Sequence, residues 1–180
     1  MKICGLAVFK KDSFVGELSS YQSLYYLILS NQFSNSVVNI PSPFNDVEYI
    51  SINISKAKSN NRVKIVNGSP YINCNINLTT RVLSSSIASN YLTTENIKNI
   101  EDYANSYFKA HFLDFLYKTS IDYKSDIVGF GKYAVRNYKD LKEWESIDWL
   151  NNYANSFFDV NVDTHVISSY LILGNNISGN

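Results

Sequence analysis

The stretch from Arg62 to Val82 constrains the fold more than any other part of the chain. Asn67-Gly68 sits between two apolar-patterned runs, and Asn-Gly suits the type I′ turn that joins antiparallel strands. Beyond it, Ile72, Cys74, Ile76, Leu78, Thr80 and Val82 fall on one face of an extended chain, and Asn73, Asn75, Asn77, Thr79 and Arg81 on the other. Successive side chains of a strand point to opposite faces, so this pattern demands a sheet with one dry face and one wetter face. Other segments supply further strands. Ile3 to Lys11 reads as a strand, Asp12-Ser13 as a tight turn and Phe14 to Leu18 as the returning partner. Ile50, Ile52 and Ile54 alternate with Ser51, Asn53 and Ser55, and Val160, Val162 and Val166 alternate into a last strand ending near Gly174.

Between these strands the apolar period changes from 2 to 3.6. Ser20 precedes Tyr21, Leu24, Leu27 and Ile28, whose spacing predicts a short amphipathic helix. Leu92 and Ile97 bracket Thr93 as a hydrophobic staple brackets an N-cap residue. From there Ile97, Ile100, Ala104, Phe108, His111, Phe115 and Thr119 trace one stripe, predicting a long helix to about Tyr123. Asp140 and Glu143 have capping-box spacing and open a helix whose stripe is Trp144, Ile147, Leu150, Ala154 and Phe157. The expected fold is α+β, an antiparallel or mixed β-sheet packed against a long α-helix and shorter helices. A chain of 180 residues suits a single domain spanning residues 1–180.

Charge and composition remove several functions. Sixteen basic and sixteen acidic residues cancel, which argues against a nucleic-acid binder or a polybasic membrane clamp. The opening apolar run Leu6-Ala7-Val8-Phe9 is broken by Lys10, Lys11 and Asp12, so it is no secretory signal. Only three residues precede Cys4, too few for a lipid-attachment site. These features fit either a cytosolic protein or a piece of a larger exported one.

The search for chemistry returns no catalytic set. His111 and His165 stand apart without Cys or Glu at ligand spacing, so no metal and no other cofactor is expected. Cys4 and Cys74 both lie on apolar strand faces, as buried thiols or, if their strands pair, as a disulfide. Asp122, Asp126, Asp140 and Asp148 read as helix caps or solvated carboxylates. Tyr25, Tyr26, Tyr103 and Tyr107 read as core aromatics with wet hydroxyls. Gly129-Phe130-Gly131 lacks the glycines and the following lysine of a phosphate loop. No nucleophile, base and orienting group can be assembled, so no enzyme activity is expected.

Two stretches together resemble one known family. Gly5-Leu6-Ala7-Val8-Phe9-Lys10-Lys11-Asp12-Ser13-Phe14-Val15-Gly16 is similar to its opening motif, and Asp126-Ile127-Val128-Gly129-Phe130-Gly131 to its "D-x-x-G-F-G" signature. The family is the C-terminal domain of the Ger(x)C proteins, the lipoprotein C subunits of spore nutrient-germinant receptors. One departure is that Ser19-Ser20-Tyr21-Gln22 stands where members often carry an acidic residue. The resemblance implies the third domain of a lipoprotein, without the signal peptide, lipobox and first two domains of full-length members. It also implies a noncatalytic subunit at the outer surface of the spore's inner membrane, beside receptor A and B subunits. Membrane attachment would come only through the lipidated N-terminus that this chain lacks. Asp126, Gly129, Phe130 and Gly131 are then expected to hold the fold, and Asn73, Asn75 and Asn77 form the candidate partner surface unless a helix covers it. The alternative function is an extracytoplasmic sensor of an amino acid or sugar. Against it, Arg62, Arg81 and Arg136, the only arginines, lie in separate segments.

Overall fold

The computed structural model describes residues 5–44, 48–85 and 93–167. Its elements run β1 (Leu6–Lys10), β2 (Ser13–Leu18), α1 (Ser20–Leu29), β3 (Ser36–Pro41), β4 (Tyr49–Val66) and β5 (Ser69–Ser85). Then come α2 (Thr94–Tyr117), a π turn (Lys118–Asp122), α3 (Gly131–Ala134), α4 (Leu141–Glu145), α5 (Trp149–Ala154) and β6 (Phe157–Val166). Strands β1 and β2 pair alone, and the other four form a sheet in the order β3-β4-β5-β6.

Asn67 and Gly68 both have positive φ, 50° and 82°, as the expected type I′ turn requires. Strand β3 runs antiparallel to β4, from Ser36 opposite Ile54 to Pro41 opposite Tyr49. Strand β6 runs parallel to β5. The hydrogen-bonded pairs Asn73–Asp159 and Asn75–Asn161 keep a constant separation of 86 residues, so both strands climb together. The sheet is therefore mixed, within the α+β class expected from the alternation.

The segments Ile50–Ile54 and Arg62–Val66 turn out to be one 18-residue strand. Its buried residues change parity, from Ile50, Ile52 and Ile54 to Ser59, Asn61 and Val63. Strand β5 holds even parity from Ile72 through Thr80. Side-chain direction has period 2, so β4 must carry one extra residue near positions 55–58.

Contacts divide the chain into two compact units. The first comprises residues 1–33, 58–76 and 109–161. Its hairpin turns at Lys11-Asp12 rather than Asp12-Ser13, with Lys11 at φ 53°. Helix α1 is capped by Ser19, one residue before the expected Ser20. Ser19 Oγ accepts from Gln22 N–H at 3.3 Å, and Gln22 Oε1 accepts from Ser19 N–H at 3.0 Å. The Ser-Gln stretch that departs from the family pattern is thus a capping box. At the other end, buried Asn61 donates to the Leu29 carbonyl at 2.8 Å, and Asn31 exchanges two hydrogen bonds with the Ser59 backbone. Polar residues sit in this core because they satisfy the helix's orphan carbonyls. The buried apolar residues of this unit include Ile28, Leu29, Ile72, Ile76, Phe112, Phe115, Phe130 and Tyr153. Burial, aided by the Asp159 charge, pushes the Cys74 thiol up to about 12, so it stays protonated. Cys4 lies outside the described residues, and so does any bond between the two.

The second unit comprises residues 34–57, 77–108 and 162–180. Ile40, Ile50, Ile52, Ile54 and Leu78 of the sheet are buried, as are Ile97, Ile100, Ala104 and Phe108 of α2. Thr93 caps α2, its Oγ1 accepting from Asn96 N–H at 3.2 Å, while Leu92 lies outside the described residues. Glu101 and Asn105, one turn apart on α2, accept from the Val166 and Thr164 backbone N–H groups at 2.8 and 2.7 Å. Those side chains occupy donors of β6 that a sheet edge would otherwise present to other strands.

Helix α2 is α-helical to Tyr117 and reaches Asp122 as a π turn, close to the expected end near Tyr123. Two helical expectations are corrected. His111 is half-exposed and its neighbour Phe112 fully buried, because the buried face runs through Phe108, Phe112, Phe115 and Leu116 at i, i+4, i+7 and i+8 and leaves His111 at its edge. The single helix expected after Asp140 is two, α4 capped by Asp140 and α5 capped by Asp148. Its expected stripe does not hold: Phe157 belongs to β6 and is exposed, while Tyr153 is the fully buried residue of this region. Strand β6 ends at Val166, and the expected continuation towards Gly174 passes outside the described residues after Ile167. No described helix is long and apolar enough to cross a membrane.

Candidate functional site: the Asp126 loop and the outer sheet face

The π turn delivers the chain into Tyr123-Lys124-Ser125-Asp126, with Lys124 at φ 47°. Two contacts fasten this stretch to the β1–β2 hairpin of the same unit. Tyr123 Oη donates to the Glu17 carbonyl at 2.8 Å, and Ser125 Oγ to the Phe9 carbonyl at 2.9 Å. Gly16 is glycine because the Tyr123 ring lies where a side chain would start, 2.6 Å from a Cβ at that position. The opening motif and the later motif are therefore two halves of one packing arrangement.

Asp126 organises the loop. Its Oδ1 accepts from the Gly129 and Phe130 N–H groups at 3.0 and 2.8 Å. Its Oδ2 accepts from Gly131 N–H at 2.7 Å and from the Trp149 indole N–H at 2.8 Å. One carboxylate thus joins the loop to α5, 23 residues downstream. Gly129 holds φ 81°, a region open chiefly to glycine. Gly131 is constrained differently, since a Cβ there would sit 2.9 Å from Trp149 Nε1. Phe130 is fully buried and stacks on Tyr153 at 6.2 Å between ring centroids. Tyr153 shares a 2.7 Å hydrogen bond with Thr119 Oγ1, and burial, with the Asp126 charge adding to it, pushes its phenol well above the usual range. Every polar atom of the loop named here is engaged internally. Gly131→Val is expected to lower the unfolding free energy by about 2 kcal/mol by displacing the Trp149 indole. Thermal melting with indole fluorescence checks this, and a parent-like melt would contradict it.

The outer sheet face of the first unit carries Asn73 and Asn75. Asn73 Nδ2 donates to Asp159 Oδ2 at 2.7 Å, Asn75 Nδ2 to Asn73 Oδ1 at 2.8 Å and Asn161 Nδ2 to Asn75 Oδ1 at 3.3 Å. Asn77 is an exposed residue of the second unit. Sequence reasoning missed Asp159 and Asn161, although their alternation with Phe158 and Val160 marks them as facing the same way. It also missed Trp149 and Tyr153 as partners of the loop, for which no local signal exists.

The remaining candidates are dispersed. Asp140 and Asp148 accept from the N–H groups of Glu143 and Asn151 as helix caps. His111 lies beside Asp114 and stacks on Tyr25, and His165 lies 3.5 Å from Glu101. Among the described residues no three His, Cys, Asp or Glu side chains converge as metal ligands would.

Comparison with known proteins places this architecture. The fold is that of the crystal structure of the GerBC protein, with a TM-score of 0.77 and 15% identity over 91% of this chain and 50% of that one. Residues 4–170 match the family described as Spore germination B3/GerAC like, C-terminal. The chain belongs to that family, the C-terminal domain of the Ger(x)C proteins. The spore germination protein GerQC of Bacillus cereus is 20% identical over 169 residues, which cover 94% of this chain and 46% of GerQC. The chain thus spans about half the length of these two relatives.

Proposed function

We propose that this chain is the C-terminal domain of a noncatalytic subunit of a nutrient germinant receptor, required for germination. The observation that carries the reading is the family match across residues 4–170, which takes in both motif stretches. The loop geometry supports a structural role for the signature: Asp126 bonds the N–H groups of Gly129, Phe130 and Gly131 and the Trp149 indole of α5. In this reading the full-length protein is a lipoprotein at the outer surface of the spore inner membrane. A lipid tether holds it beside A and B subunits, so each protein contact can be individually weak.

Deletion of the gene tests the reading. Spores lacking it should lose their response to one class of nutrient while still germinating by a route independent of nutrient receptors. Re-expression of the full-length protein should restore the response. An unchanged nutrient response in the deletion strain would refute the receptor role.

A further inference from the structure

The outer face of the first unit is uneven in charge. Along the first unit's part of β4 the exposed side chains are Lys58, Asn60, Arg62, Lys64 and Val66. The two-residue turn sets Val66 opposite Ser69, and hence Lys64 opposite Tyr71 and Arg62 opposite Asn73. The parallel offset of 86 then sets Phe157 beside Tyr71 and Asp159 beside Asn73. Two rows result. Lys64, Tyr71 and Phe157 form a cation next to two exposed aromatics, 39% and 61% accessible. Arg62, Asn73 and Asp159 form the other, in which the carboxylate is already engaged by Asn73. Among the described residues, neither Arg62 nor Lys64 pairs with a carboxylate. The two cations, Tyr71 and Asn73 line a depression of about 210 Å³.

Arg62 and Lys64, neighbours on one strand face without a carboxylate partner among the described residues, make a local positive patch that attracts a negatively charged partner. Two cations two residues apart on a strand lie roughly 7 Å apart, the spacing of alternate side chains on an extended partner. We propose that this face binds an acidic segment of a sister receptor subunit. Carboxylates two residues apart would meet Arg62 and Lys64, and an apolar side chain would cover Tyr71 and Phe157. Arg62 supplies a planar fork for one carboxylate, Lys64 a point charge for the other, and the aromatic pair the desolvated centre. The contact rests on the receptor reading above and gives it a location and a chemistry.

The test uses full-length protein in spores, with a photocrosslinking amino acid at position 71. The expected result is a crosslink to a receptor subunit that maps to a segment containing two or more carboxylates. Arg62→Glu with Lys64→Glu should reduce its yield by about tenfold, equivalent to the loss of one or two charged contacts, without moving the melting temperature. Lys142→Glu, a charge change on exposed α4, should leave the yield unchanged. A yield that persists in the double variant overturns the proposal, as does a crosslink only to lipid or to a segment without carboxylates. The gene deletion separates the two failures. A deletion strain with a normal nutrient response refutes the receptor role itself, whereas a defective deletion with a persistent crosslink refutes only this contact.

Discussion

Replacing Asp126 by asparagine, a nearly isosteric change, is expected to lower the unfolding free energy by about 3 kcal/mol. Both carboxylate oxygens act purely as acceptors, Oδ1 for two backbone N–H groups and Oδ2 for one backbone N–H and the Trp149 indole. An asparagine amide offers one acceptor and one donor. Whichever way it is turned, its NH2 group faces two N–H donors, so two hydrogen bonds are lost and two repulsive contacts take their place. The bonds lost are charge-assisted, the stronger class. Trp149→Phe removes only one of the four and should cost about 1 kcal/mol. Urea denaturation followed by circular dichroism reads both. An Asp126→Asn variant as stable as the parent would show that the four hydrogen bonds contribute little.

The same residue shows where sequence reading stops. The run from Ile72 to Thr80 was legible because alternation is local, and its buried and exposed residues follow the pattern. The type I′ turn was legible because only a few dipeptides tolerate two positive φ angles. Asp126 could be read as a cap for its own turn, but nothing local points to Trp149, whose indole comes from α5, beyond two intervening helices in the chain. The break between α4 and α5 was missed because Trp144, Ile147, Leu150, Ala154 and Phe157 satisfy a helical period by coincidence. Asp148, with Asn151 three residues on, is the cap that divides them. The extra residue in β4 is invisible for a different reason: Ser55, Lys56, Ala57 and Lys58 carry too little apolar contrast to reveal a change of parity. On the outer face, the three amides of Asn73, Asn75 and Asn77 stood out as uniform polarity. Arg62 and Lys64 gained meaning only when strand order brought Tyr71 and Phe157 beside them. The two features of the family motif also differ in kind. Gly129 answers to a backbone angle that sequence can suggest, whereas Gly131 answers to a ring that only the tertiary fold supplies.

Phe130→Ala should be the most damaging single substitution in the loop, costing about 4 kcal/mol. Its ring is fully buried and stacked on Tyr153, itself fully buried and edge-on to Phe158 at 6.0 Å. Truncation removes the transfer free energy of a phenyl ring and leaves a void that Tyr153 cannot fill. Its hydroxyl is held by Thr119, and tilting the ring inward would strand that hydroxyl without a partner. Phe130→Leu keeps most of the volume and should cost about 1 to 1.5 kcal/mol, largely lost aromatic contact and shape. The exposed Phe157 provides the contrast, since its truncation should change stability by less than about 0.5 kcal/mol. Measured together by urea unfolding, the order Phe130→Ala, Phe130→Leu, Phe157→Ala should hold from most to least destabilised. If Phe130→Ala falls near Phe157→Ala, the loop yields to fill the void and the D-x-x-G-F-G signature is not explained by packing. If the order holds, the packing of Phe130 on Tyr153 accounts for the phenylalanine of the signature.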